Sequence, residues 1–237
     1  MGGDYYKVIG ESPNKVRTYR KREVLVEIKI QKGDITTTAA EAVVLFHFEG
    51  DDTLLEPAAA INTITGSIIN RVIEAGDFRG EHLESVLLFT QDSAAIRRIL
   101  LMGLGKRENF TAQTLREAMG QALKTLRDRR QRQGVLPIPL DNEFPLGMEE
   151  TAEACVLGGI LGLYQFTELL TREREKIKDF DSLTIMSGKK TKGLTSSVDR
   201  AKAVAAGIYL ARDLKALELI SVEESNSLQK EWNAMIM

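Results

Sequence analysis

Short apolar runs alternate with longer amphipathic stretches along the chain. Residues 24–30 alternate apolar and polar positions and predict a half-buried strand, whereas the continuous apolar run at 42–48 predicts a more buried one. Two further apolar runs, 85–90 and 98–103, follow each other after a short connection. Because a parallel pair of strands needs a long crossover, this short step indicates a sheet that is not wholly parallel.

Apolar residues at helical spacing predict four helices. They cover residues 54–75, 111–130, 148–170 and 196–219. Thr111 is a natural N-cap for the second helix, because its hydroxyl can accept a hydrogen bond from the free amides of the first turn. The first helix is predicted to continue without a break until Gly76.

The predicted helix at 148–170 has the glycine-rich sequence GGILG at 158–162. Glycine lowers helix stability, so its use here suggests that another backbone packs closely against this segment. The apolar run at 135–140 carries two prolines, which predict a strand that lies at a sheet edge or breaks early. With a last strand at 182–186, the alternation of strands and helices predicts a three-layer α/β/α sandwich with a mixed, mostly parallel sheet.

A glycine turn and the helix after it carry a family resemblance. Gly103-Leu104-Gly105-Lys106 is followed by T-x-x-x-L-R-x-A-x-G from Thr111 onward, and the turn G-D-F-x-G lies upstream at 76–80. Together with residues 150–173 and 198–214, this order resembles the N-terminal domain of the leucyl (cytosol) aminopeptidases. The resemblance is collinear over roughly residues 24–214, which makes it far more specific than any one motif.

The resemblance implies a non-catalytic, macro-domain-like module. In the family this domain packs beside a catalytic domain that holds two zinc or manganese ions, and it helps to build an oligomer and to shape access to the peptidase site. The family's metal-ligand motifs match no position here, so we expect no catalytic residue, metal or cofactor on this chain. The expected partner is protein, through self-association or a catalytic domain or subunit.

These observations predict three segments. Residues 1–22 are expected to form an extended arm, 23–217 the macro-like domain, and 218–237 a tail. The arm ends in a basic cluster, which leaves nucleic-acid contact as a further, less favoured alternative. The tail has many apolar groups that are predicted to fold back over the exposed surface or to make a dimer contact. These are Leu217, Leu219, Ile220, Val222, Leu228, Trp232, Met235 and Ile236.

One small-molecule alternative comes from the similarity to macro domains. Gly33, Asp34 and Ile35 follow the first strand, as in macro domains that bind ADP-ribose, where the aspartate accepts a hydrogen bond from adenine. Gly103 and Gly105 would then be further ligand-binding positions near a phosphate. Against this, the sequence LFHFEGDD at 45–52 places carboxylates where a diphosphate would bind. A simpler interpretation makes Asp34 a turn residue and the glycines a turn requirement.

Other reactive side chains also have simple interpretations. His47 and His82 form no metal-ligand pair and are expected to be structural or solvated. Cys155 lies among small residues and is expected to be a buried apolar thiol. The carboxylates at 49–52 are expected to be exposed in a loop.

Composition excludes several functional classes. Of the 237 residues, 43% are hydrophobic, and 32 Lys+Arg against 34 Asp+Glu leave a formal net charge of -2. This balance argues against nucleic acid or an anionic membrane as a partner attracted by the overall field. No apolar run reaches the roughly 20 residues that span a bilayer, and the single cysteine fits a reducing compartment. The cytoplasm is therefore the expected location.

Overall fold

The computed structural model describes most of the chain. For residues 5–9 and 16–20 it describes the backbone. The described residues are 5–9, 16–20, 26–90, 95–139, 144–166, 178–188, 192–216 and 230.

A six-stranded sheet forms the centre of the domain. Its strands are β3 (Glu27–Lys32), β4 (Val43–His47), β5 (Ser85–Phe89), β6 (Arg98–Gly103), β7 (Gln133–Pro137) and β8 (Ser182–Ser187), in the order β3-β8-β7-β4-β6-β5. All neighbouring strands are parallel except β5, which pairs antiparallel with β6. The predicted mixed, mostly parallel sheet is thus confirmed, and the antiparallel pair lies where the short connection indicated it.

Helices cover both faces of this sheet. They are α1 (Ala58–Ile64), α2 (Ile68–Glu74), α3 (Ala112–Asp128), α4 (Met148–Gly162) and α5 (Leu194–Ala216). Val43 and Leu45 of β4 face the core with α1 and α2, whereas Val44 and Phe46 face the core with α3, α4 and α5. Because successive strand residues point to opposite faces, β4 is buried over its whole length and reads as a continuous apolar run.

The segment predicted as one helix at 54–75 is two helices, so that prediction is wrong. The chain breaks at Gly66 and Ser67, whose φ angles are 69° and 59°. The buried side chain of Asn62 compensates for the break, since its Oδ1 accepts hydrogen bonds from the amides of Ile69 and Asn70 at 3.0 and 3.2 Å. These are free amides in the first turn of α2, and Asn62 satisfies them across the turn.

The prolines at 137 and 139 do not place their strand at an edge. β7 lies in the interior of the sheet between β8 and β4, which corrects that part of the prediction. The predicted early break is confirmed, because β7 ends at Pro137 and its described register with β4 is one pair, Val43 with Val135. A proline at the last strand position removes no donor from the middle of the ladder.

Two short strands lie within the segment that was predicted to be an extended arm. β1 (Tyr5–Ile9) and β2 (Val16–Arg20) pair antiparallel in a separate two-stranded sheet. In the basic cluster at the end of this segment, Arg17 and Arg20 lie in β2, whereas Lys21 and Arg22 lie outside the described residues. The segment limits 1–22, 23–217 and 218–237 stay a prediction, and most of the tail lies outside the described part of the chain.

Candidate sites at the sheet edge and on the helical face

Asp34 follows β3 and caps its own turn. Its Oδ1 accepts from the amide of Thr36 at 2.8 Å and from the hydroxyl of Thr36 at 2.7 Å. These hydrogen bonds, first the one from the side chain and then the one from the backbone, lower the pKa of Asp34. The turn continues as a short 3-10 helix, Ile35–Thr37, in which Ile35 is buried. The geometry therefore accounts for Gly33-Asp34-Ile35 as a local turn.

Gly103 and Gly105 allow a loop to pack closely against the end of β6. A Cβ atom on Gly103 would lie 2.0 Å from the carbonyl oxygen of Glu81, and Gly105 has a φ of 71°. Gly80, in the loop that packs against Gly103, is constrained as well, because a Cβ atom there would lie 2.8 Å from the backbone of Phe48. Both positions in the Gly103-Leu104-Gly105 turn thus have a structural requirement for glycine.

The structure places the two groups of predicted ADP-ribose-binding residues, the turn at Gly33-Asp34-Ile35 and the glycines of the turn at 103–105, at different strands of the sheet. Asp34 follows β3, and Gly103 ends β6, four strand positions away. At the usual spacing of roughly 4.8 Å between strands, these two strands lie about 19 Å apart. ADP-ribose binding at Gly33, Asp34, Ile35, Gly103 and Gly105 stays a prediction, for which calorimetry of the chain against Asp34→Ala is the direct measurement.

Between these two turns, one carboxylate of the segment after β4 is paired with an arginine, Arg107, that was not among the predicted site residues. Arg107 donates to Asp51 at 2.5 Å, and its guanidinium lies 4.2 Å from the centre of the Phe48 ring. Asp51 is therefore paired, although it was expected to be an exposed loop charge. The sequence signal was weak, because Arg107 and Asp51 lie 56 residues apart in the chain.

His47 is buried on the α1 and α2 side of the sheet. Its side chain lies beside Phe78, at 6.2 Å between ring centres, and its Nδ1 has no hydrogen-bond partner among the described residues. Burial lowers the pKa of His47 from the ordinary value of 6.5, while Asp51 raises it and Arg107 lowers it further. The expected structural role of His47 fits this position.

We expect the burial of His47 to make the protein sensitive to acid. Because its pKa is lower in the folded than in the unfolded state, the unfolded chain binds the proton more readily below about pH 6.5, and stability falls as the pH falls. One proton gives a slope of at most about 1.4 kcal/mol per pH unit. Urea unfolding at several pH values should show a flatter profile for His47→Leu than for the parent. Equal profiles for the two proteins would contradict this account, and His82→Leu is the matched control.

The two remaining reactive side chains that the sequence singled out, His82 and Cys155, have surroundings that fit structural roles. His82 lies in an exposed loop and bonds to Glu117 at 3.1 Å, and Cys155 is fully buried, with burial raising the pKa of its thiol. No group of three or more His, Cys, Asp or Glu side chains is arranged to hold a metal ion in the part of the chain that the structure describes. The zinc or manganese ions that the resemblance implies for a catalytic domain therefore have no fitting donor set among these residues.

Helices α3 and α4 approach each other until their backbones touch. A Cβ atom on Gly158 would lie 2.1 Å from the carbonyl oxygen of Arg116, and one on Gly162 would lie 2.3 Å from the carbonyl oxygen of Gly120. The close backbone packing predicted for GGILG is thus confirmed. The predicted helix is shorter than expected, since α4 ends at Gly162 and residues 167–170 lie outside the described ones.

An open groove of about 830 Å³ runs along this helical face. Its apolar floor combines Leu157 and Leu161 of α4 with Val204 and Ile208 of α5, and its rim on α3 is polar. The exposed side chain of Leu83 also lines this groove. Among the described residues, two further large apolar side chains are exposed elsewhere, Ile64 and Phe89, with Phe89 the more exposed at 64% on the edge strand β5. Among the described residues, no helix is both long and apolar enough to cross a membrane.

Comparison with protein families gives one clear match. Residues 42–173, more than half of the chain, match the model of the N-terminal domain of the cytosol aminopeptidase family. A probable cytosol aminopeptidase of Geobacter sp. (strain M21) is 31% identical over 150 residues, which cover 63% of this chain and 30% of the relative. A second, from Oleidesulfovibrio alaskensis, is 27% identical over 190 residues, covering 80% of this chain and 37% of the relative. The chain thus spans about a third of the length of these relatives.

Solved structures support the same fold. A tomato leucine aminopeptidase mutant aligns with a TM-score of 0.65 at 18% identity, covering 80% of this chain and 38% of that one. The bottromycin maturation enzyme BotP in complex with Mn aligns with a TM-score of 0.52 at 21% identity, covering 74% and 32%. At these identities the likeness concerns the fold, and it confirms the predicted α/β class.

Proposed function

Because the chain belongs to the cytosol aminopeptidase family through the N-terminal domain of that family, we propose that it is a non-catalytic domain that associates with protein. Its role is assembly, or the shaping of access to a peptidase active site. The observation that carries this proposal is the family match at residues 42–173, which concerns the N-terminal domain alone. The chemistry belongs to the part of the relatives that this chain does not match, so its own contribution is a binding surface.

The exposed edge of the sheet supports self-association as the form of this contact. β5 has the sequence SVLLF, without charge or proline, and among the described residues no strand pairs with its outer edge. An edge strand of this composition is a template for pairing with another chain. An antiparallel pair of identical strands is symmetric about a two-fold axis, so a second copy of this chain is the partner that this edge fits.

We expect light scattering after gel filtration to show a multiple of the 26.3 kDa chain mass. Phe89→Lys should shift the protein towards the monomer, because it places a charge at the end of the pairing edge. Ile64→Lys is the matched control, since it adds the same charge to an exposed apolar position on α1 and should leave the mass unchanged. A monomer at every concentration tested would contradict self-association.

The access role is tested with a whole aminopeptidase of the family as partner. Adding the chain to that enzyme should change the KM for a leucine amide more than the kcat, because a domain that shapes access acts on substrate entry. Unchanged kinetics, together with no co-elution of the two proteins, would contradict this role.

A further inference from the structure

The groove between α3, α4 and α5 is an apolar surface that the described residues leave open. The four floor side chains, Leu157, Leu161, Val204 and Ile208, are all partly exposed. The backbone contact at the three glycines of the crossing keeps α3 and α4 close together, and α4 also packs against α5. A surface of this shape fits the apolar side of one further helix.

The sequence after α5 contains a segment with the matching pattern. Leu228, Trp232, Met235 and Ile236 recur at helical spacing and would lie on one side of a helix, with polar residues between them. Lys230, in the middle of this segment, is helical and exposed. We propose that residues 228–236 of the same chain dock as an amphipathic helix in the groove between α3, α4 and α5.

The segment between the end of α5 and residue 228 is long enough for residues 228–236 to reach the groove. α5 ends at Ala216, and Ile208 lies eight residues earlier, which corresponds to about 12 Å along the helix. The eleven residues at 217–227 span up to about 36 Å when extended. The chain can therefore turn at the end of α5 and run back along the groove without strain.

The connection that leads to this segment has a charge complementary to the groove rim. Of the four glutamates at 217–237, three lie in the connection at 217–227, whereas residues 228–236 contain one lysine and one glutamate. On the groove rim, Glu153 is paired with Arg200 at 3.1 Å and Glu117 accepts from Gln113 at 2.8 Å. Arg116 and Lys124 on the same rim are cations that attract an acidic connection, so an acidic connection is favoured over a basic one.

The chain offers a direct probe of this docking. Trp232 is its only tryptophan, so fluorescence that is excited selectively at tryptophan and not at the five tyrosines reports on this segment alone in the full-length protein. We expect emission shifted to the blue of the urea-unfolded chain and acrylamide quenching that is several-fold weaker. Leu161→Glu, on the floor, should shift the emission to the red and restore quenching. Lys124→Glu, on the exposed rim, should act in the same direction without affecting the core.

Ile64→Glu is the matched control, because it places the same charge on an exposed apolar position of α1, away from the groove. It should leave the emission unchanged, and circular dichroism should show that all variants remain folded. Emission of the native protein that equals that of the unfolded chain would overturn the proposal. So would emission that neither Leu161→Glu nor Lys124→Glu changes. A blue shift that disappears on dilution together with a dimer would assign the groove to the segment of a second copy and overturn docking within one chain.

Discussion

Gly158→Ala is expected to lower the free energy of unfolding by about 2 kcal/mol, a loss typical of overpacking. An alanine inside a helix is ordinarily more stable than a glycine by about 1 kcal/mol, so the expected sign is the reverse of the usual one. The reason is the backbone contact, since the added Cβ would lie 2.1 Å from the carbonyl oxygen of Arg116. Neither helix backbone can move away without opening the core that both of them cover.

Urea unfolding followed by circular dichroism measures this loss as a lower midpoint with an unchanged slope. Gly147→Ala is the matched control: Gly147 is the N-cap of α4, and a Cβ there meets nothing within 4 Å. It loses only the preference of an N-cap position for glycine over alanine, so its effect should stay below about 1 kcal/mol. A Gly158→Ala protein as stable as the parent would show that α3 and α4 are farther apart than described.

Phe48→Ala is expected to have the largest effect on stability, a loss of about 3 to 5 kcal/mol. The Phe48 ring is fully buried after β4 and lies 5.1 Å from Phe110 and 5.9 Å from Phe144, between ring centres. It also lies under the guanidinium of Arg107. Its removal leaves a cavity and takes away the surface that orients the Arg107 to Asp51 ion pair.

Phe89→Ala is the matched control, because Phe89 is 64% exposed and contacts Arg98 at 5.7 Å from its ring centre. Measured at a concentration at which the protein is a monomer, its effect should stay within about 0.5 kcal/mol. Thermal unfolding of both variants provides the comparison. Similar losses for Phe48→Ala and Phe89→Ala would contradict the assignment of the buried aromatic cluster.

Local signals in the sequence were reliable where a short segment fixes its own geometry. Thr111 caps α3 as predicted, and it forms a reciprocal pair of hydrogen bonds with Thr114. The glycines at 158–162 predicted a close backbone contact, because glycine inside a helix otherwise only lowers the stability of that helix. Asp34 could be interpreted as a turn residue from its neighbours alone, since its Oδ1 accepts a hydrogen bond from the amide of Thr36, two residues later.

The errors concern features that depend on the whole sheet. The break between α1 and α2 needs Ser67 in a left-handed conformation, which serine rarely adopts, and its compensation by Asn62 is visible only in three dimensions. The interior position of β7 depends on strand order, which two prolines near its end do not determine. The sequence left a structural and a solvated role open for His47, because its surroundings depend on the pairing of β4 with β6.

The most direct test of the proposed function is an aminopeptidase assay on the purified chain. The measured quantity is the release of a chromogenic leucine amide with added zinc or manganese. The account predicts no turnover above that of the added metal without protein. The reason is that the chain matches the N-terminal domain of its family, for which we propose a non-catalytic role. Turnover that scales with the amount of chain and that a chelator abolishes would contradict the account.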